Sequence, residues 1–481
     1  MSLSSRAEPA RDLFARRLTY GVTPALRRDM AGYSSPTAWV EAQLDRAEPE
    51  YDLAATVPLW FVALRNTPAL AQLLDSRGVR PRYQVGLDLV AQTLALRILS
   101  RHQLYEAMCD FWSNLLYIPV AEARSFAWRA DFDSTVIRDH AFGRFPDMLA
   151  ASVEHPAMAT YLSNDLNAKG AINENLGREL LELHTVGRDA YDESDVRSMS
   201  RLLTGFTVTT GNTSQCGYDP NRHQTGKARV LGHTEANQNA DGRAALARTL
   251  RHLALHEATA RRIAQRLCTR FLEDSPPADL VRAVAASYRR SGGATAPMLR
   301  TLVKHPAFAD ARATKVLKPG DDLVRACRVL GLQPSGAVGS GAFIRQLVLM
   351  AQDVGQVSYA WPAPNGWPET DAPYLNPTRL LRSWEKHYLL AAPKVAATQQ
   401  VQVPAKATQL PSSWPQTLAS LADHQSRLLL GRAADRALVQ ACASALGRKA
   451  NASYASADAL TDLEYQLLRG TVLNQPAGIR R

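Results

Sequence analysis

The sequence predicts a mainly α-helical fold: a large multi-helical domain with a short β-hairpin insertion, followed by a C-terminal helical unit. Three observations carry that prediction. Apolar residues recur at helical spacing over most of the chain, as in Leu94, Ile98, Leu99, Tyr105, Met108 and Trp112. Helix-start chemistry punctuates these runs, at Thr23-Pro24, at His155-Pro156 and at the polar cluster Tyr191–Asp195. Only the region 206–233 is rich in β-formers.

Taken in order, residues 10–75 read as helices separated by turns, including Asp12–Leu18 and Trp39–Leu44. A polar break at 75–83 precedes one long helix expected from about Val85 to Trp112. Helical segments follow through 125–165. The loop 164–170, with two asparagines and a glycine, leads to the stretch Asn173–Gly187. A helix ending near Leu203 leads into the β region, where Phe206–Thr210 and Ala228–Leu231 are the β-prone runs flanking a polar loop. Helices return at 243–255, 256–273, 278–290 and 296–304 and after Pro319, and 354–378 is irregular, with Trp361 and Trp367 among prolines. The organisation expected is a main domain over 10–390, a linker or irregular segment at 393–415 and a helical unit at 416–481 packed on the main domain. No repeat of solenoid period is visible.

The densest chemistry lies in Asn173-Glu-Asn-Leu-Gly-Arg-Glu-Leu-Leu-Glu-Leu-His-Thr-Val-Gly187. Asn173 suits an N-cap and Gly187 a C-terminal stop. Leu176, Leu180, Leu181 and Leu183 share one side, with Gly177 and His184. A glycine there predicts close approach of another backbone. Asn175, Arg178, Glu179 and Glu182 share the other side and can converge on a cleft. Two carboxylates three residues apart can hold a hard cation or divide acid and base roles. The plainer reading is a solvated face laced by i,i+4 ion pairs such as Arg178/Glu182. His184 reads as a core histidine, which would suit the helix C-terminus if protonated.

Composition sets bounds. The 481 residues carry a formal net charge of +11, mostly from dispersed arginine, which suits an ion-paired surface first and an anionic partner second. A nucleic-acid role ranks third, because no recognised module accompanies the arginines. Cys109, Cys216, Cys268, Cys327 and Cys442 are odd in number and scattered, which argues against disulfides and zinc. No run approaches a membrane span. Met1–Arg6 lacks a hydrophobic leader, so the expectation is a cytoplasmic protein.

In the polar loop 216–233, His223 is a candidate ligand or proton carrier and Lys227 a candidate anion clamp. Trp367 is a candidate binding platform. Lys315 and Lys318 form a small basic point before Pro319. Divalent-metal candidates are Glu179, Glu182 and His223, and they require the loop to meet the central helix.

Several motifs together resemble the bacterial proteins grouped as domain of unknown function 1800. They are the Asn173–Gly187 stretch, Leu203-Thr-Gly-Phe206, His223 through Gly232, His256-Glu-Ala-Thr-Ala260 with Arg266 and Arg270, Asn365-Gly-Trp-Pro368, and Asn376-Pro with Leu380-Leu-Arg382. The resemblance implies a mainly helical protein and supplies no reaction. It implies export in many relatives and a sulfatase-like partner encoded nearby. The chain departs from the family after Phe111-Trp112, where Ser113-Asn114-Leu115 replaces histidines around an asparagine, and at Gln224, where relatives often carry Asp. Two functions follow as expectations. One is an enzyme acting on a polar, anionic substrate through a carboxylate/Arg/His cleft, with or without a divalent metal. The other is a non-catalytic binding or accessory protein working with a partner.

Overall fold

The computed structural model describes residues 10–45, 51–209, 216–310, 315–339, 341–392 and 400–481. The described chain is mainly helical, as predicted, and its strands form only two-stranded ladders. Cys109, Cys268, Cys327 and Cys442 are buried thiols.

Two local expectations change. The helix expected over 85–112 is two helices, Arg82–Leu99 and Gln103–Leu115. Ser100 leaves the helix in an extended conformation. The Gln103 side chain donates to the carbonyls of Arg97 (3.0 Å) and Ser100 (2.7 Å), groups that a helix end leaves open. The β-prone runs do not pair with each other. Phe206–Thr207 pairs with Gly217–Tyr218 and Ala228–Val230 with His233–Glu235, both antiparallel. Leu231 and Gly232, at φ 47° and 80°, form a two-residue turn of the kind that closes a hairpin locally. Residues 210–215 of this region lie outside the described residues.

The sequence predicts a linker or irregular segment at 393–415. Residues 393–399 lie outside the described residues, but 400–415 is tied down. Val401–Gln402 pairs with Gln333–Pro334. The Gln400 side chain accepts the amides of Gly341 (2.7 Å) and Ala342 (2.6 Å). Leu418–Leu430 and Asp462–Leu473 then pack against Pro319–Leu330 and Pro377–Leu390 respectively. Arg16, in the first helix, donates to the Leu430 carbonyl at 2.8 Å.

Two stretches of the chain adopt the same arrangement. The first comprises Gln103–Leu115, Phe126–Asp131 with its π-helical continuation Phe132–Arg138, Phe145–Val153 and Pro156–Tyr161. The second comprises Glu257–Phe271, Ala278–Arg290, Thr295–Lys304 and Pro306–Ala309. Gly143, Met148, Leu149, Val153, His155, Pro156, Ala157 and Ala159 recur, in the same spacing, as Gly293, Met298, Leu299, Val303, His305, Pro306, Ala307 and Ala309. His155 and His305 each accept a backbone N–H at Nδ1 and so cap the next helix. Each also turns Nε2 toward an aspartate, Asp131 at 3.0 Å and Asp279 at 3.6 Å.

The two units meet reciprocally. Phe145 N–H donates to the Gly293 carbonyl (2.9 Å) and Thr295 N–H to the Gly143 carbonyl (3.0 Å). Phe145–Val153 lies on Arg243–Leu255, the helix before the second unit, and Thr295–Lys304 lies on Pro36–Asp45, before the first. This is the self-complementary pattern of a two-fold interface, contained within one chain. Asp110, on Gln103–Leu115, forms an ion pair with Arg270, on Glu257–Phe271.

Candidate functional site

The central stretch is one helix in two parts, α-helical over Asn175–Glu179 and π-helical over Leu180–His184. Asn173 does accept the Asn175 amide, at 3.0 Å, but Glu174 holds the cap position. Gly177 faces the helix Glu193–Leu202. A Cβ there would lie 2.2 Å from Ser200 Oγ and 3.2 Å from Ser200 N, the close approach its position predicts. His184 is buried, with Nδ1 2.9 Å from the Leu115 carbonyl and Nε2 without a hydrogen-bond partner. Burial, reinforced by Arg262 and Arg266, pushes its imidazole down to about 4. It is therefore neutral near pH 7 and does not serve the helix dipole as a cation. Arg262 takes that role by donating to the carbonyls of Glu182 (2.5 Å) and Leu183 (2.9 Å).

The polar side of this helix is largely committed to ion pairs. Arg178 grips Glu193 with two nitrogens (2.6 and 2.8 Å) and reaches Glu174 at 3.2 Å. Glu182 takes Arg188 at 2.6 Å and the Tyr191 hydroxyl at 2.9 Å. Burial opposes ionisation of Glu182, but the hydrogen bonds from Arg188 and Tyr191 prevail and hold it below the ordinary range. Glu179 is half-buried, and burial together with Glu182 pushes it up. Asn175 is exposed at the helix start.

His223 is placed differently from the expectation. It is 2% exposed. Its Nδ1 lies 3.0 Å from the Thr204 carbonyl and its Nε2 2.9 Å from Asn237 Oδ1. Both ring nitrogens are thus committed to fastening the β region to the helix before it. Lys227 is exposed, and its carbonyl accepts from Arg201 at 2.6 Å. Among the described residues, no three His, Cys, Asp or Glu side chains are placed to hold a metal ion. Glu179, Glu182 and His223 are therefore not brought together as a ligand set.

The strongest concentration of charge lies elsewhere, and sequence reasoning missed it as a unit. Arg270 is fully buried, 2.8 Å from Asp110, 3.3 Å from Asp321 and 3.6 Å from Glu369. Arg97 pairs with Asp110 at 2.5 Å, and Lys318 Nζ lies 2.9 Å from Glu369. Lys315 pairs with Asp371 at 2.9 Å and with Asp274. Asp110 comes from the helix Gln103–Leu115, Arg270 from Glu257–Phe271, Lys318 from the turn before Pro319, and Glu369 from the tryptophan loop.

Asn114 joins these parts. Its Nδ2 donates to the Trp367 carbonyl (2.8 Å) and to Glu369 Oε1 (2.7 Å), and its Oδ1 accepts the Trp367 amide (2.8 Å). Gly366, at φ 70°, has no room for a side chain, because a Cβ would lie 2.5 Å from the Asn114 carbonyl. Beneath the loop is a small cavity of about 10 Å³, room for about one water molecule, lined by Asp110, Ser113, Asn114, Lys318, Gln356 and Trp367, among others. Trp367 is thus a wall of this cavity. Its ring lies 4.8 Å from that of Trp361, and its Nε1 donates to the Val357 carbonyl at 3.0 Å.

The electrostatics follow from burial and pairing. Burial works against the Asp110 carboxylate, but Arg97, Arg270 and Lys318 override it and hold it below the usual carboxylate range. Glu369 is likewise held down, against its burial, by Lys318 and Arg270. Burial lowers the Lys318 ammonium below its ordinary value, and Glu369 only partly offsets this. Arg266, one turn before Arg270, has no carboxylate within ion-pair distance among the described residues. Its hydrogen bond goes to the Asn114 carbonyl at 3.4 Å. Phe111–Asn114, Arg266 and Arg270, Lys315 and Lys318, and Asn365–Pro368 were each visible in the sequence as fragments, but no local pattern joins them.

Fold and site together define a mainly helical protein of two interlocked helical units, with a buried ionic centre under a tryptophan loop. The chain belongs to the family described as Protein of unknown function (DUF1800), whose model matches residues 13–477. That match runs through the C-terminal unit, beyond the 10–390 span of the resembling motifs. No curated protein and no solved structure matches the chain. Among the described residues, no helix is long and apolar enough to cross a membrane.

Proposed function

We propose that the protein is an enzyme whose reaction centre is the buried ionic cluster beneath the tryptophan loop, that its substrate is small, polar and anionic, and that the loop moves aside to admit it. The observation that carries this reading is the burial of Asp110, Arg270, Lys318 and Glu369 in one ionic cluster, with Asp110 and Lys318 on the wall of the small cavity. Buried ion pairs are often no more stabilising than apolar residues of the same volume, so stability alone is a poor reason to keep such a cluster. Perturbed titrating groups beside a cavity are the usual mark of a reaction centre.

In this reading Lys318 neutralises the substrate anion, and the unpaired Arg266 adds positive potential from behind Asn114. Asp110, held ionised, accepts a hydrogen bond from a substrate hydroxyl, and Glu369 keeps Lys318 in place. Ser113 and Gln356 supply directional hydrogen bonds. Glu179, Glu182 and His223 are a separate set of candidate residues, and none of the three lines this cavity. The accessory reading, with a sulfatase-like partner, draws on family resemblance alone.

The test is a thermal-shift screen of small carboxylates, phosphates, sulfates and sugar acids, with hits followed by NMR for turnover. At least one class is expected to raise the Tm of the wild type, to be converted, and to give no shift in Lys318→Met measured against that variant's own Tm. An equal shift in the variant, or no shift in the wild type, contradicts the site. A ligand that binds but is never converted contradicts the enzymatic half.

A further inference from the structure

A second charged concavity lies at the corner between Arg243–Leu255 and Glu257–Phe271, away from the tryptophan loop. It is lined by Arg248, Arg251, His252, His256, Glu257 and Arg289. Behind it three imidazoles stand in a row. The rings of His233 and His252 are stacked 5.0 Å apart at 19°, and those of His252 and His256 lie 5.7 Å apart at 66°.

The charges facing this row can be taken element by element. The strand His233–Glu235 brings Glu235, whose Oε1 is 2.9 Å from His233 Nε2 and which also binds Arg248 through both oxygens (2.9 and 2.7 Å). The helix Arg243–Leu255 brings Arg248, Arg251 and His252, whose Nε2 lies 3.2 Å from the Leu231 carbonyl. The following helix brings His256, which accepts the Ala258 amide at Nδ1 (3.2 Å), and Glu257. Ala278–Arg290 brings Arg289, loosely set 3.8 Å from Glu257. Three arginines therefore face two glutamates, and Arg251 is the one without an ion pair among the described residues.

We infer that this corner binds a tetrahedral oxyanion, a phosphate or sulfate group, between Arg251 and Arg289, with His252 and His256 behind it. Guanidinium groups match such oxyanions in charge and geometry. Contact between neutral imidazoles is tolerable, but adding protons to adjacent rings is not, unless an anion is present to share the charge. Burial, with His233 and His256 alongside, keeps His252 below its ordinary value, so near neutrality the arginines hold the anion. Affinity then rises as the solution becomes acidic and His252 gains charge.

Inorganic sulfate is the informative probe, because its charge is constant over the working range. Histidine resonances are followed by NMR during titration with sulfate, phosphate and a simple alkyl sulfate. The expected result is a saturable shift of His252 and His256, a weakening of about tenfold in Arg251→Ala, and tighter sulfate binding at about pH 5.5 than at about pH 8. Equal affinity for sulfate and its ester assigns the site to the free anion, and a tighter ester assigns it to the group on a larger molecule. Absence of a saturable shift, an unchanged Arg251→Ala, or sulfate affinity that ignores pH overturns the inference. These readouts are independent of Lys318, so failure here leaves the tryptophan-loop reading standing.

Discussion

His184 shows how one residue is decided by its surroundings. On the apolar side of its helix it reads as a core histidine, and the structure buries it with a single accepting carbonyl. Its folded value of about 4 lies below its ordinary 6.5. A group depressed in this way binds a proton more readily when unfolded. Its contribution is fully present above about pH 6.5 and falls away as pH drops toward 4. Over that interval the loss amounts to roughly 3 kcal/mol. Urea denaturation across that range is expected to show a flatter pH dependence for His184→Asn than for wild type, and matching slopes would contradict the assignment. Gly177 makes a second case. Substitution by alanine drives a methyl group into Ser200 and is expected to cost about 1–3 kcal/mol, seen as a lower Tm. An unchanged Tm would mean the two helices separate without cost. Both residues were legible in the sequence because their roles depend on the helix that carries them. His223 was not, since its partners Thr204 and Asn237 lie far from it in the sequence and their side chains carry no pattern.

At the scale of the element, the tryptophan loop depends on Asn114 more than on its own prolines. That side chain makes three bonds to Trp367 and Glu369. Asn114→Ala is expected to free the loop, raising its rate of limited proteolysis and changing the fluorescence of Trp361 and Trp367. A cleavage rate equal to wild type would show that other contacts hold it. The capping histidines offer a paired test. His155 and His305 occupy equivalent places in the two helical units, so alanine at either is expected to cost a similar amount, about 1 kcal/mol, by chemical denaturation. A large inequality would argue that the resemblance between units stops at the backbone. Helix existence was readable throughout because apolar period reports burial directly. Breaks and pairings were not. The gap at Ser100 is held by a glutamine side chain, and the β pairing was decided by a tight turn at Leu231-Gly232.

At the scale of the whole molecule, the two helical units bring Asp110 and Arg270 from equivalent helices into one buried cluster. The tryptophan loop and the turn before Pro319 add Glu369 and Lys318. This is why the candidate site was legible only in pieces. Each fragment is ordinary in its local setting, and the meaning arises from a topology that places residues 110, 270, 318 and 369 together. On the proposed function the cluster is kept for a ligand and not for stability. The most direct measurement is urea denaturation of Lys318→Met/Glu369→Leu, with and without the best anion from the screen. Replacing the two together removes one charge of each sign and leaves Arg270 with Asp110 and Asp321, so stability without ligand is expected to equal wild type or exceed it by about 1–4 kcal/mol, with the ligand-dependent increment abolished. A loss of several kcal/mol with that increment intact would show that the ion pair holds the fold together and that the ligand binds elsewhere.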